Sequence, residues 1–224
     1  MRSSPIGVVA VIALVVGLIA LRGVSAVADR QRAAVPTPFE ETFEIESRYR
    51  QAGFRFAPAV AQGDREWFLA AVAAARPEAG RLIAEVDGLV EVSTHSGDPF
   101  GVTEVSSTGF VIRLDIASLD GERVQDRPVT VLHELGHVID HALVPADLNR
   151  SLDDGIPRAA CAAPSRLTGH CAAPEERFAD TFAKWALRGS VSQAGAGYGV
   201  PTPASLESWG APLGALSAEV STRR

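Results

Sequence analysis

His133-Glu134-Leu135-Gly136-His137 decides how this 224-residue chain is read. On a helix of about 3.6 residues per turn, positions four apart lie about 40° apart and one turn up, so the two imidazoles face a common point. Glu134 sits roughly 100° round from His133. Its carboxylate therefore points past an ion held by the two rings, toward a water on that ion, the arrangement that zinc-assisted hydrolysis requires.

The flanking residues supply the helix that this geometry needs. Asp126 is placed to cap it, Pro128 falls in the first turn where a missing N–H costs nothing, and Pro145 closes it. Leu132, Leu135, Val138, Ile139 and Leu143 recur at helical spacing and give the helix an apolar side to bury. Its β-branched residues lower the intrinsic propensity, so tertiary burial has to hold it.

Zinc in a catalytic site takes a third protein ligand and keeps a fourth position for water. About forty residues on, Pro174 to Trp185 reads as a second amphipathic helix, with Pro174 at its start, Gly189 beyond its end and Phe178, Phe182 and Trp185 as its core stripe. Glu176 and Asp180 share another face at i and i+4. Glu176 is thus a candidate ligand, and Asp180 a candidate acceptor for the outer ring N–H of a ligating histidine. Glu175 is the rival: it lies nearer the apolar arc, but its i+4 neighbour is Ala179, and a first-turn acid also suits the helix dipole.

Together these residues resemble a known class. HELGH followed downstream by Glu176-Arg177-Phe178-Ala179-Asp180 looks like the gluzincin zinc metallopeptidases. The pattern HExxHxxD…ExFA[DE] is most similar to the catalytic domain of anthrax lethal factor-like peptidases, over about residues 128 to 188. The resemblance implies zinc held by His133, His137 and Glu176, with Glu134 as general base. A metzincin reading is disfavoured, because that class needs a third histidine and a methionine turn, and the only methionine is Met1.

Asp140, one turn past the motif, reads as a residue facing substrate or a ligating histidine, or else as a solvated helix-end acid. His141 has a structural explanation in its contact with the helix C-terminus. His170 reads as a loop histidine, with oxyanion stabilisation as the alternative, and nothing supports a role for Tyr198.

Arg2 precedes an apolar run from Ile6 to Leu21, short for a membrane span but suited to an export signal, with Ala26-Val27-Ala28 as a cleavage site. Arg22 leaves an uncleaved anchor as the alternative, the one route to a membrane. Cleavage would move the formal charge from -6 to -8. An acidic chain whose only lysine is Lys184 has no footprint for nucleic acid; the metallopeptidase resemblance implies a peptide or protein substrate as the partner. Cys161 and Cys171 fit an oxidising compartment and are expected to close a short loop by a disulfide worth about 2–3 kcal/mol.

Along the rest of the chain, Val35-Pro36-Thr37-Pro38 reads as a linker, and Glu40 to Gln51 and Asp64 to Ala75 as helices. Arg81 to Glu91 is ambiguous between a helix and a helix-to-strand passage. Leu89 to Ser93 and Gly109 to Ile116 read as strands, followed by a turn at Asp120-Gly121. Phe110 to Ile116 is the candidate edge on which a substrate backbone would pair, against the alternative of an internal strand.

The expected fold is α+β: a small zincin-like domain with an HExxH helix, a short sheet and a second metal-bearing helix. The expected division is residues 1–28 signal or anchor, 29–76 a helical N-terminal region, 77–190 the metallopeptidase domain, and 191–224 an irregular or disordered tail rich in Gly, Ala, Pro and Ser. The expected function is an exported zinc metallopeptidase, secreted or held outside the membrane by residues 6–21. The alternatives are an inactive exported binding module or a structural zinc domain with a fourth ligand such as His170 or Asp140.

Overall fold

A computed structural model of the protein describes residues 53–97, 100–116, 127–158, 169–189 and 199–222, apart from the side chains of Arg127 and His170. All of them fall in one compact unit, Ile45–Arg224. The export segment, the linker, the Glu40–Gln51 helix, the Asp126 cap, the Asp120-Gly121 turn, Cys161 and Tyr198 lie outside the described residues.

The architecture is mixed α+β. In chain order come β1 (Arg55–Phe56), α1 (Gln62–Ala73), α2 (Pro77–Val86), β2 (Val90–His95), β3 (Gly101–Ser106), β4 (Gly109–Asp115), α3 (Arg127–Ala142), α4 (Ala146–Asp154), α5 (Pro174–Ala186) and α6 (Leu206–Thr222). The ambiguous stretch after Arg81 proves to be the end of α2, a 3-10 turn at Asp87–Leu89 and then β2.

The sheet runs β1-β2-β4-β3, with β1, β2 and β4 parallel and β3 antiparallel to β4. A tight hairpin joins β3 to β4, since Ser106 pairs with Gly109. Gly109 takes φ 139° there, and a Cβ on it would fall on the carbonyl oxygen of Leu89, so only glycine lets β4 enter the sheet beside β2. This corrects the expectation for Phe110 to Ile116: β4 is paired on both sides and has no free edge. Among the described residues the sheet edge next to the motif helix is β3, which lacks clean alternation in the sequence.

Val90, Val92, Phe110, Ile112 and Leu114 are buried in the same core as Leu132, Leu135, Val138 and Ile139 of α3. α3 is more enclosed than a one-sided amphipathic helix, for every residue from Val129 to Gly136 is buried. α1, α2, α5 and β3 all pack against it. β1 and α1 also join this core, so residues 53–76 belong with the segment that follows rather than to a separate N-terminal region.

α3 ends at Ala142 with Pro145 just beyond it, as expected, and Pro145 also caps α4, accepting a bond from Asn149 N. One further expectation changes. Residues 206–222 are not irregular but form α6, whose Trp209, Leu213 and Val220 are buried. The small residues of that helix serve close packing: a Cβ on Gly210 would overlap Nε1 of Trp185. Arg76, at the N-cap of α2, reinforces the seat by a two-pronged ion pair with Glu207 of α6 and by lying over the Trp185 ring.

Candidate metal centre

The buried motif helix α3 and the helix α5 bring three donor groups to one point. His133 Nε2 lies 3.1 Å from Glu176 Oε2, His137 Nε2 lies 3.1 Å from His133 Nε2, and His137 Nε2 lies 3.7 Å from Glu176 Oε2. Bonds of about 2.0–2.1 Å to a tetrahedral zinc put neighbouring donors roughly 3.3 Å apart. The three edges scatter around that value. Two imidazole nitrogens and a carboxylate oxygen at this spacing fit zinc in chemistry and in size, and among the described residues His133, His137 and Glu176 are the group that can hold a metal ion.

Glu176 therefore meets both imidazoles. Glu175, its neighbour, is exposed and lines an adjoining cleft of about 550 Å³ with Asp140, His141, Asn149 and Arg150. Pro174 begins α5, leaving Glu175 and Glu176 in its first turn, where the helix dipole favours negative charge. Beyond Glu176, Arg177 is buried and donates through Nε to Asp153 Oδ1 at 2.7 Å and through Nη2 to Ile156 O at 2.8 Å. That bond pins the first turn of α5 to the end of α4, and Asn149 of α4 donates in turn to Asp140 of α3. α4, which sequence reasoning did not identify, thus braces both metal-bearing helices.

The three donors also act on one another. Burial pushes the Glu176 carboxyl up, but hydrogen bonds from His133 and His137 and their charges outweigh it and hold the group at about 2. Burial lowers His133 below its ordinary 6.5, against the opposing bond to Glu176, which favours the neutral form that a metal needs. His137 is shifted the other way: burial lowers it, but Glu176, Glu134 and Asp140 together raise it. Asp140 is raised, chiefly by burial, so it is a half-buried acid rather than a solvated one.

Glu134 stands outside the donor triad and is 2% exposed. The hydroxyl of Thr103, on β3, lies 2.8 Å from its Oε2. Thr103 carried no signal in the sequence, because its contact comes from strand pairing and not from any local motif. Asp180 departs from expectation: its Oδ2 accepts from Lys184 Nζ at 2.6 Å, while Oδ1 is buried with no hydrogen bond among the described residues. Lys184 also donates to Val200 O at 2.5 Å. Asp180 still raises His133 by its charge.

Cys171 ends a 3-10 turn just before α5, and no free cysteine is found among the described residues. Among the described residues no helix is long and apolar enough to cross a membrane. No protein-family model matches the chain, and no curated protein or solved structure matches it.

Proposed function

We propose that this protein is an exported zinc metallopeptidase of the zincin kind, with His133, His137 and Glu176 as metal ligands and Glu134 as general base. The observation that carries the reading is the triangle of two imidazole nitrogens and one carboxylate oxygen, drawn from two helices, with a further carboxylate beside it. Three ligand groups rather than four among the described residues favour a centre with a position left for water and substrate.

Bound zinc supplies Lewis acidity toward the scissile carbonyl and makes a water acidic enough to attack near neutral pH. Glu134 takes the proton of the attacking water and returns it to the leaving amine. His133 and His137 present their rings to one point, where Glu176 meets them at 3.1 and 3.7 Å, so that these three groups would hold the ion. The sheet edge at β3 gives an extended peptide backbone a partner beside Glu134, through main-chain hydrogen bonds that are indifferent to side-chain identity. The N-terminal apolar run and the paired-cysteine composition support export.

The test is incubation of the zinc-loaded protein with a peptide pool, with and without a chelator. Cleavage that stops with the chelator, returns with zinc and is absent from Glu134→Gln is expected. Stoichiometric zinc with no cleavage of any peptide would instead indicate a binding module.

A further inference from the structure

Glu134 is a carboxylate buried almost completely on α3, and a buried charge needs compensation from groups of fixed geometry. β3 provides such groups at alternate positions. Residues two apart on a strand point to the same face, and the face of β3 that meets Glu134 carries Gly101 and Thr103. Thr103 Oγ1 lies 2.8 Å from Oε2 of Glu134 and 3.1 Å from its main-chain oxygen. A hydroxyl has one proton to give. The shorter contact and the charged acceptor favour donation to the carboxylate.

Gly101 matters through what it lacks. A Cβ there would lie 2.5 Å from Oε1, 2.9 Å from Cδ and 3.0 Å from Cγ of Glu134. All three are side-chain atoms of one residue, so a methyl group at 101 would turn the carboxylate aside and leave the helix backbone in place. The outer face of β3 is occupied differently, Glu104 pairing with Arg113 of β4 at 2.7 Å. The two faces therefore have separate tasks.

We propose that Thr103 is a positioning residue for Glu134, its hydroxyl fixing the carboxylate's rotamer in the space that Gly101 leaves empty. The proposal rests on the reading of Glu134 as the base. It links the base to the strand whose edge faces substrate, so that the two hold their relative position through β3 and do not depend on the loops.

The experiment compares Thr103→Val, Thr103→Ser and Gly101→Ala with the parent in zinc content, in kcat and KM on a cleaved peptide, and in crystal structures of the metal-free proteins. Thr103→Val and Gly101→Ala are expected to keep one zinc per chain, to lower kcat about 10- to 100-fold with KM within about twofold, and to show Glu134 in a new rotamer. Thr103→Ser, which keeps the hydroxyl, is expected to restore the parental rotamer and most of kcat. An unchanged Glu134 rotamer in both Thr103→Val and Gly101→Ala would overturn the proposal, as would a Thr103→Val variant as fast as the parent. If the parent binds zinc but cleaves nothing, the peptidase reading fails by itself, and the rotamers still decide whether Thr103 positions Glu134.

Discussion

Gly136 of α3 and Ala179 of α5 meet without room for a methyl group between them. A Cβ on Gly136 would lie 2.9 Å from Cα of Ala179 and 3.2 Å from its carbonyl oxygen. This is the crossing point that lets Glu176, three residues before Ala179, reach His133 and His137 on either side of Gly136. The glycine that precedes the second motif histidine thus sets the distance between the two halves of the metal centre.

Gly136→Ala is accordingly expected to destabilise the protein by about 1–3 kcal/mol through overpacking against backbone, outweighing the gain of up to about 1 kcal/mol that alanine brings to a helix interior. It should weaken zinc binding at the same time. Thermal unfolding of the metal-free and zinc-loaded variant measures both effects; a variant more stable than the parent would show that the helices do not touch there.

The metal-free protein should lose stability in acid because of Glu176. Its carboxyl is held at about 2 in the folded state against an ordinary 4.5, so the stabilisation is complete above 4.5 and is lost as pH falls from there toward 2. Nearer neutrality His133, which is lowered, and His137, which is raised, act in opposite senses: the His137 contribution is lost as pH rises through its raised value, whereas neutral His133 is favoured there. Denaturant titrations of the parent and Glu176→Gln are expected to differ most above pH 4.5 and to converge as pH drops. A gap that stays constant with pH would contradict the ion-pair account.

Arg177 and Asp153 form a buried pair that joins α5 to α4. Removing the guanidinium leaves an enclosed carboxylate, which Arg158 compensates in part through its own contact with Asp153. Arg177→Met is therefore expected to cost about 2–4 kcal/mol in urea unfolding, toward the lower side of what a broken buried pair costs. A loss under about 1 kcal/mol would mean that α4 does not brace the site.

Two substitutions on α6 should separate packing from surface charge. Gly210→Ala drives a methyl into the Trp185 ring and is expected to cost about 2–3 kcal/mol. Glu207→Ala breaks an ion pair whose carboxylate is 67% exposed, and is expected to leave the unfolding transition almost unchanged because solvent screens the pair. Equal and small losses in the two variants would contradict the packing of α6 against Trp185.

The two helices of the metal centre were legible because each joins a periodic apolar face to polar residues at i and i+4, and because proline and glycine mark the ends of α5. Gly189 follows α5 as expected, although the left-handed residue that turns the chain first is Arg188 at φ 54°. α6 was hidden by its composition: Gly210, Ala211 and Pro212 read as loop residues until Trp185 is seen to need the space. β3 was hidden because Gly101-Val102-Thr103-Glu104-Val105-Ser106 has no buried alternation of its own, with Val105 71% exposed. Thr103 and Gly101 gain their meaning only when that strand lies against α3, a relation between segments about thirty residues apart that no local pattern encodes.

Zinc stoichiometry by elemental analysis, on the parent and on Glu176→Ala, Glu175→Ala and His137→Ala purified without chelator, tests the central claim most directly. One zinc per chain is predicted for the parent and for Glu175→Ala, and much less than one for Glu176→Ala and His137→Ala. A full zinc complement in Glu176→Ala would contradict the account, because the metal would then be held without the carboxylate that α5 brings to the two imidazoles.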